Sequence, residues 1–127
     1  MISFLKRRLI YAFAYSLAGL RSAWQTEEAI KFEACLLPVL IVLAIYFGNS
    51  NIEKALLISS SLLVLIVELL NTGLEKAIDR VSMDYHELSK VVKDIGSAAV
   101  LLSMINFYSL ISLKLTIVVW GEVRTPT

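Results

Sequence analysis

The chain is poor in the residues that build many catalytic centres. A single cysteine, Cys35, stands in an apolar stretch, which excludes an intramolecular disulfide and reads as a buried structural thiol. The single histidine, His86, cannot complete a usual zinc ligand set with one cysteine, and a lone histidine among serines is no signature of Ser/His/Asp catalysis. There is no Gly-x-x-x-x-Gly-Lys-Ser/Thr loop, no protein-kinase motif and no nucleotide-binding βαβ unit, so a bound nucleotide must be held by helix side chains. The net charge is only +1, with twelve basic residues interspersed among eleven acids, and gives no case for a nucleic-acid partner. No internal repeat or low-complexity tract breaks the chain.

What the chain has is apolar surface. Its 127 residues are 57% hydrophobic, and its mean hydropathy is +0.74. That is too apolar and too short for an ordinary soluble domain, and it predicts a small all-α membrane protein. Residues 1–26 open with Lys6, Arg7 and Arg8 and then place Leu9, Ile10, Phe13, Leu17, Leu20 and Trp24 at helical spacing, as in an amphipathic interfacial helix. A signal peptide shares this outline, but Tyr11, Tyr15 and Ser16 weaken the apolar core and no clear cleavage region follows. Three transmembrane helices are expected, over residues 29–47, 52–70 and 95–120. The first contains Pro38 and spans only if Lys31 and Glu33 sit near headgroups, because its unbroken apolar part is short for a core about 30 Å thick. Residues 71–81 continue the second span as a cytoplasmic extension, 82–94 are expected to connect, and Trp24 and Trp120 should mark interfaces.

The most informative segment is that extension. Glu68, Asn71, Thr72, Glu75 and Asp79 fall within about one third of a helix circumference. An acid in hydrocarbon costs roughly 3 kcal/mol on insertion scales, so such a stripe should face a polar interior. Neighbouring carboxylates repel unless a cation sits between them, and magnesium, which takes a few carboxylates plus phosphate oxygens, is the candidate. Nine basic residues (Lys6, Arg7, Arg8, Arg21, Lys31, Lys76, Arg80, Lys90, Lys93) flank one side and three (Lys54, Lys114, Arg124) the other. This asymmetry predicts a cytoplasmic amino terminus, a carboxyl terminus on the outer side and a stripe facing the cytoplasm.

Two further polar sets share that depth: Glu27, Glu28, Lys31 and Glu33, and then Lys93, Asp94 and Ser97. Acids on separate helices could chelate a metal that bridges phosphates, while a lysine neutralises charge and another carboxylate accepts a proton from an attacking hydroxyl. The same residues allow plainer roles. Glu27 and Glu33 could be interfacial charge at a helix start, Lys93 a membrane-side anchor, and His86 a loop hydrogen-bonder. A non-enzymatic oligomeric scaffold or pore, with acids and lysines paired between subunits, is therefore the alternative to an enzyme.

The motifs resemble those of the small prokaryotic diacylglycerol kinases of the Gram-negative type. The family pattern Glu-x-x-Asn-Ser/Thr-x-x-x-Glu-x-x-x-Asp stands here as Glu68, Asn71, Thr72, Glu75 and Asp79. Tyr85-His86-Glu87-Leu88-Ser89, Lys93-Asp94, Gly96-Ser97-Ala98-Ala99-Val100, Tyr15-Ser16, Gly19-Leu20-Arg21, Ala23-Trp24 and the acids Glu27 and Glu33 extend the resemblance over nearly the whole chain.

The resemblance implies ATP-dependent phosphorylation of diacylglycerol to phosphatidic acid at the bacterial inner membrane, by a homotrimer with sites between subunits. It implies Glu68 as general base, and Glu27 and Glu75 as ligands of Mg2+ carried with ATP. Arg8, Tyr15, Asn71, Asp84, Tyr85, His86, Lys93 and Asp94 would complete the ATP site. Arg21, Ser22, Ala23, Trp24, Lys31, Glu33 and Ser97 would join Glu68 in holding the lipid. Polyprenol kinases share the core pattern and give undecaprenol as the alternative substrate. Phe32 departs from a glutamine frequent in the family, Lys31 replaces an arginine and loses its bidentate fork, and Thr72-Gly73 replaces the usual small pair. None of these removes a proposed catalytic group. Glu68 lies nearer the lipid than Glu75, which is about 10 Å further along the helix.

Overall fold

The computed structural model describes residues 2–123, with side chains for 4–119. Arg124, counted above in the charge asymmetry, and the Trp120 side chain lie outside what is described. The fold is all-helical: α1 (Ile2–Thr26), α2 (Glu28–Phe47), α3 (Asn51–Val81) and α4 (Glu87–Val123). Helices α2, α3 and α4 are long and apolar enough to cross a membrane.

Local chemistry explains where the helices begin and end. The first turn of α3 is closed twice, because Ser50 Oγ accepts the Glu53 N–H at 3.2 Å while Glu53 Oε2 accepts the Asn49 N–H at 2.8 Å. This is a capping-box arrangement that satisfies backbone donors left over by the helix. Pro38 sits within α2, where its missing N–H is tolerated. Helix α4 starts at Glu87, well before the residue 95 expected for its span, so the connection is only 82–86. The His86 carbonyl accepts the Lys90 N–H at 3.0 Å, His86 Nδ1 accepts the Leu88 N–H at 3.2 Å, and Lys90 pairs with Asp94 one turn on. A polar stretch that reads as a loop is thus capped and stapled into helix.

Helix α3 is the centre, with α2 and α4 packed on it and α1 touching α2 only near their shared corner, where Ala23 and Ile30 are buried. The seam is made of small side chains: Ser60, Ser61, Val64, Thr72, Gly96 and Ser103 are buried, whereas Leu62, Leu63, Ile66, Leu101, Leu102 and Ile105 face outward. This is the inverse of a soluble core, and it is how helices associate when lipid is as apolar as leucine. The buried serine hydroxyls are satisfied on their own helices, Ser60 and Ser61 by the Leu57 carbonyl at 3.0 and 2.8 Å and Ser103 by the Val100 carbonyl at 2.7 Å. Cys35, expected to be buried, is exposed on α2, where an apolar thiol can face lipid.

At Gly96 the two longest helices are in close contact, since a Cβ there would collide with Asn71 Oδ1 and touch Leu74 Cδ2 at 3.5 Å. Gly96→Val should therefore displace Asn71 and lower thermal stability by about 1–3 kcal/mol. Thermal unfolding of the two proteins in the same detergent measures this, with Gly96→Ala giving the smaller loss.

Candidate functional site

Helix α3 passes three environments in succession. Its middle, at Ser61 and Val64, lines an apolar groove of about 110 Å³ with Phe32, Glu33, Leu36 and Phe107. Its far part, at Ile78 and Asp79, lines a polar hollow of about 450 Å³. Between them lie Glu68, Asn71 and Glu75.

Glu68 is half-buried and feels the charges of Glu75 and Glu27, and Glu33 on α2 feels Glu68 in turn. Asn71 Nδ2 donates to Glu75 Oε1 at 3.1 Å, which fixes the amide one turn below the second acid. Two acceptors are buried without a hydrogen-bond partner, Glu33 Oε2 and Asn71 Oδ1. A buried acceptor left open is costly, and it is well suited to receive a hydroxyl or amine from a ligand.

Glu27, at the start of α2, is held by Lys76 of α3 at 2.8 Å. That hydrogen bond is the main reason its carboxyl lies below the usual range. Asp79 and Lys93 pair between α3 and α4 at 2.6 Å. The hollow is walled by Asp84, Tyr85, His86, Lys90, Lys93 and Asp94 together with Asp79, so five of the residues expected to bind ATP converge there. Asp84 is held by Ser82, whose Oγ accepts the Asp84 N–H at 2.9 Å. His86 acts as a hydrogen bonder in the connection, as its isolation suggested.

Other expected residues are not drawn in. Arg8 and Tyr15 are exposed on α1, Arg8 over the Phe4 ring at 5.2 Å and Tyr15 stacked on Tyr11 at 6.4 Å between centroids. Within one chain they do not line the hollow. Of Arg21, Ser22, Ala23 and Trp24, only Ala23 is buried. Lys31 is half-buried on α2, and Ser97 is exposed beside Gly96. Lys76 and Lys90 were not singled out from the sequence as site residues. The spacing of Lys90 and Asp94 was the available signal for one; the other pairs across 49 residues and had none.

The fit to magnesium can be judged from the donors. Among the described residues no three His, Cys, Asp or Glu side chains converge to hold a metal by themselves. Magnesium does not need that, because it takes one or two carboxylates and completes its shell with phosphate and water. Glu27 and Glu75 each have one oxygen committed, to Lys76 and Asn71 respectively, and each keeps a second. The donor set fits.

Comparison with known proteins gives a consistent result. Residues 14–118 match the family model described as prokaryotic diacylglycerol kinase. The chain is 46% identical over 98 residues to the diacylglycerol kinase of Escherichia coli (strain K12), covering 77% of this chain and 80% of that protein. It is 42% identical over 115 residues to the diacylglycerol kinase of Haemophilus influenzae, covering 91% and 90%. With the Pseudomonas aeruginosa diacylglycerol kinase it shares 47% over 93 residues, covering 73% and 76%.

The Glu27–Lys76 pair has a pH consequence. A carboxyl held below its ordinary value stabilises the fold above the unfolded value, and the contribution is lost as pH falls through the folded one. Lys76→Met should move the Glu27 titration back up, toward its ordinary value. Carbon-13 shifts of the labelled Glu27 carboxyl across pH 2–7 read this directly; an unmoved titration would show that Lys76 does not hold it.

Proposed function

The chain belongs to the prokaryotic diacylglycerol kinase family and is a multi-pass bacterial membrane kinase, and we propose that it phosphorylates diacylglycerol directly from ATP at the cytoplasmic face of the inner membrane. The observation that carries this reading is the order of environments along α3: apolar groove, unpaired acceptors, acids, polar hollow. A lipid alcohol approaches from the first and a nucleotide from the last, so their reacting ends meet between Glu68 and Glu75. Family membership sets aside the non-enzymatic scaffold or pore.

Glu68 takes the proton of the lipid hydroxyl as its oxygen attacks the γ-phosphorus, and ADP leaves with the bridging oxygen. Glu33 Oε2, open and buried at the mouth of the groove, accepts from a glycerol hydroxyl and turns the reacting group toward Glu68. Asn71 holds Glu75 in place from below. Magnesium, when bound with ATP through Glu27 and Glu75, neutralises charge on the phosphates. Lys93 turns from Asp79 to the phosphates, while Asp84, Tyr85, His86 and Asp94 surround the nucleotide in the hollow. Arg21, Ser22, Ala23, Trp24, Lys31 and Ser97 border the lipid side.

Arg8 and Tyr15 lie outside this hollow in a single chain, which supports a site completed by a neighbouring copy, as in a homotrimer. Helix α1 then lies in the cytoplasmic interface with its apolar side chains in lipid. The excess of basic residues on that side supports a cytoplasmic amino terminus and a periplasmic carboxyl terminus.

Purified protein should transfer labelled phosphate from ATP to dispersed diacylglycerol in magnesium and more slowly to undecaprenol; the reverse order would make it a polyprenol kinase. Glu68→Gln should lower turnover by roughly 10²–10⁴-fold, the usual worth of a general base. Undiminished turnover in that variant would remove Glu68 from the role.

A further inference from the structure

The ion pair at the opposite end of α3 has no part in the reaction above. Lys114 of α4 is only 8% exposed, and its ammonium lies 2.6 Å from Glu53 Oε1. Glu53 cannot swing away freely, because its other oxygen takes the Asn49 N–H and its own N–H is capped by Ser50. The acid is thereby fixed to the first turn of α3, and Lys114 brings α4 to it.

The spacing of this pair is informative. Glu53 stands eighteen residues before Asn71 on α3, and Lys114 stands eighteen residues after Gly96 on α4. Eighteen residues make five full helical turns, about 27 Å, and return to the same face. The Glu53–Lys114 pair and the Asn71–Gly96 contact are therefore two ends of one antiparallel seam. Eleven residues in from the Glu53–Lys114 end, on both helices, Val64 stands opposite Ser103, and both are buried.

The seam between those ends has little to resist sliding. The side chains buried deepest there, Ser60, Ser61, Val64 and Ser103, are small or short, and the serine hydroxyls bond their own helices and not the facing one. A slip of one turn, about 5.4 Å, would keep small residues against small residues. It would also take Gly96 from beneath Asn71 and part Lys93 from Asp79. At the other end it would separate the ammonium of Lys114 from Glu53 and leave the enclosed lysine, the less exposed of the two, without its charged partner, which is disfavoured.

We infer that Glu53 and Lys114 are positioning residues that set the register of α4 on α3, and so align Asn71 and Lys93 at the reacting end about 27 Å away. Lys114 acts through α4 and touches no substrate. The link to catalysis rests on the kinase reading; the link to register does not.

The experiment uses full-length protein in membranes, with Cys35→Ser as background. Val64→Cys/Ser103→Cys should oxidise to a disulfide in the native register, while Val64→Cys/Ala99→Cys and Val64→Cys/Phe107→Cys report a one-turn slip either way. Adding Lys114→Met should at least halve the 64–103 product and raise one of the slipped products. Without the engineered cysteine pairs it should lower kcat for diacylglycerol at least tenfold, with KM for ATP changed less than threefold. Lys114→Arg and the exchange Glu53→Lys/Lys114→Glu should both return the 64–103 product to the unsubstituted level. Native cross-linking in Lys114→Met overturns the inference even if thermal stability falls. If Lys114→Met fails to accumulate, the exchange variant decides, and its failure to restore the native cross-link also overturns it. Absence of kinase activity in the unsubstituted protein would count against the function and leave the cross-linking result to stand by itself.

Discussion

The cost of keeping an ionisable group near hydrocarbon organises this molecule. Glu27 is answered by Lys76, Glu53 by Lys114, Asp79 by Lys93 and Asp94 by Lys90. Glu33 Oε2 and Asn71 Oδ1 are buried acceptors with neither a hydrogen bond nor an ion pair, whereas Lys114 Nζ has its ion contact to Glu53 but no hydrogen-bond geometry. The two acceptors are neighbours of Glu68 in sequence or in space, and an unsatisfied acceptor is tolerated where a ligand supplies the missing donor.

The pairs also differ in what they hold. Asp94 and Lys90 share a helix and are largely exposed, so their bond does little beyond supporting the start of α4. Glu27–Lys76 and Asp79–Lys93 join different helices at the reacting end and are partly exposed. Such bonds are exchangeable, and a phosphate or a cation arriving there meets groups that can change partners at modest cost. Glu53–Lys114 is the most enclosed of the four and has the least freedom to do so.

Much of the architecture was legible because its causes are local. Apolar content announced membrane spans, and the helical phase of Glu68, Asn71, Glu75 and Asp79 announced one polar face on a continuous helix, which α3 is. The segment after α3 was misleading. Polar residues at 82–94 suggested a connection, while the His86 cap and the Lys90–Asp94 pair make helix from Glu87. Contacts set by register were out of reach: Gly96 beneath Asn71 and Glu27 on Lys76 depend on how far one helix is displaced along another. Lys114, counted from the sequence only as a charge of the outer side, has a partner in Glu53 within the seam.

The placement of Glu68, Asn71, Glu75 and Asp79 on one unbroken helix has a geometric consequence. A helix fixes Glu68 and Glu75 about 10 Å apart along its axis and on nearly the same face, with no hinge to average that separation. Asn71, bonded to Glu75 and pressed on Gly96, prevents the intervening turn from rotating independently. The groove side chains of α3 and its hollow side chains are then held at a fixed separation along one helix, which is the geometry the proposed transfer between a lipid and a nucleotide would need. Rigidity along α3 leaves α2 and α4 as the elements whose placement must be controlled. The small residues of the seam permit close approach of α4, and in the inferred register role the Glu53–Lys114 charge at its far end aligns the near one.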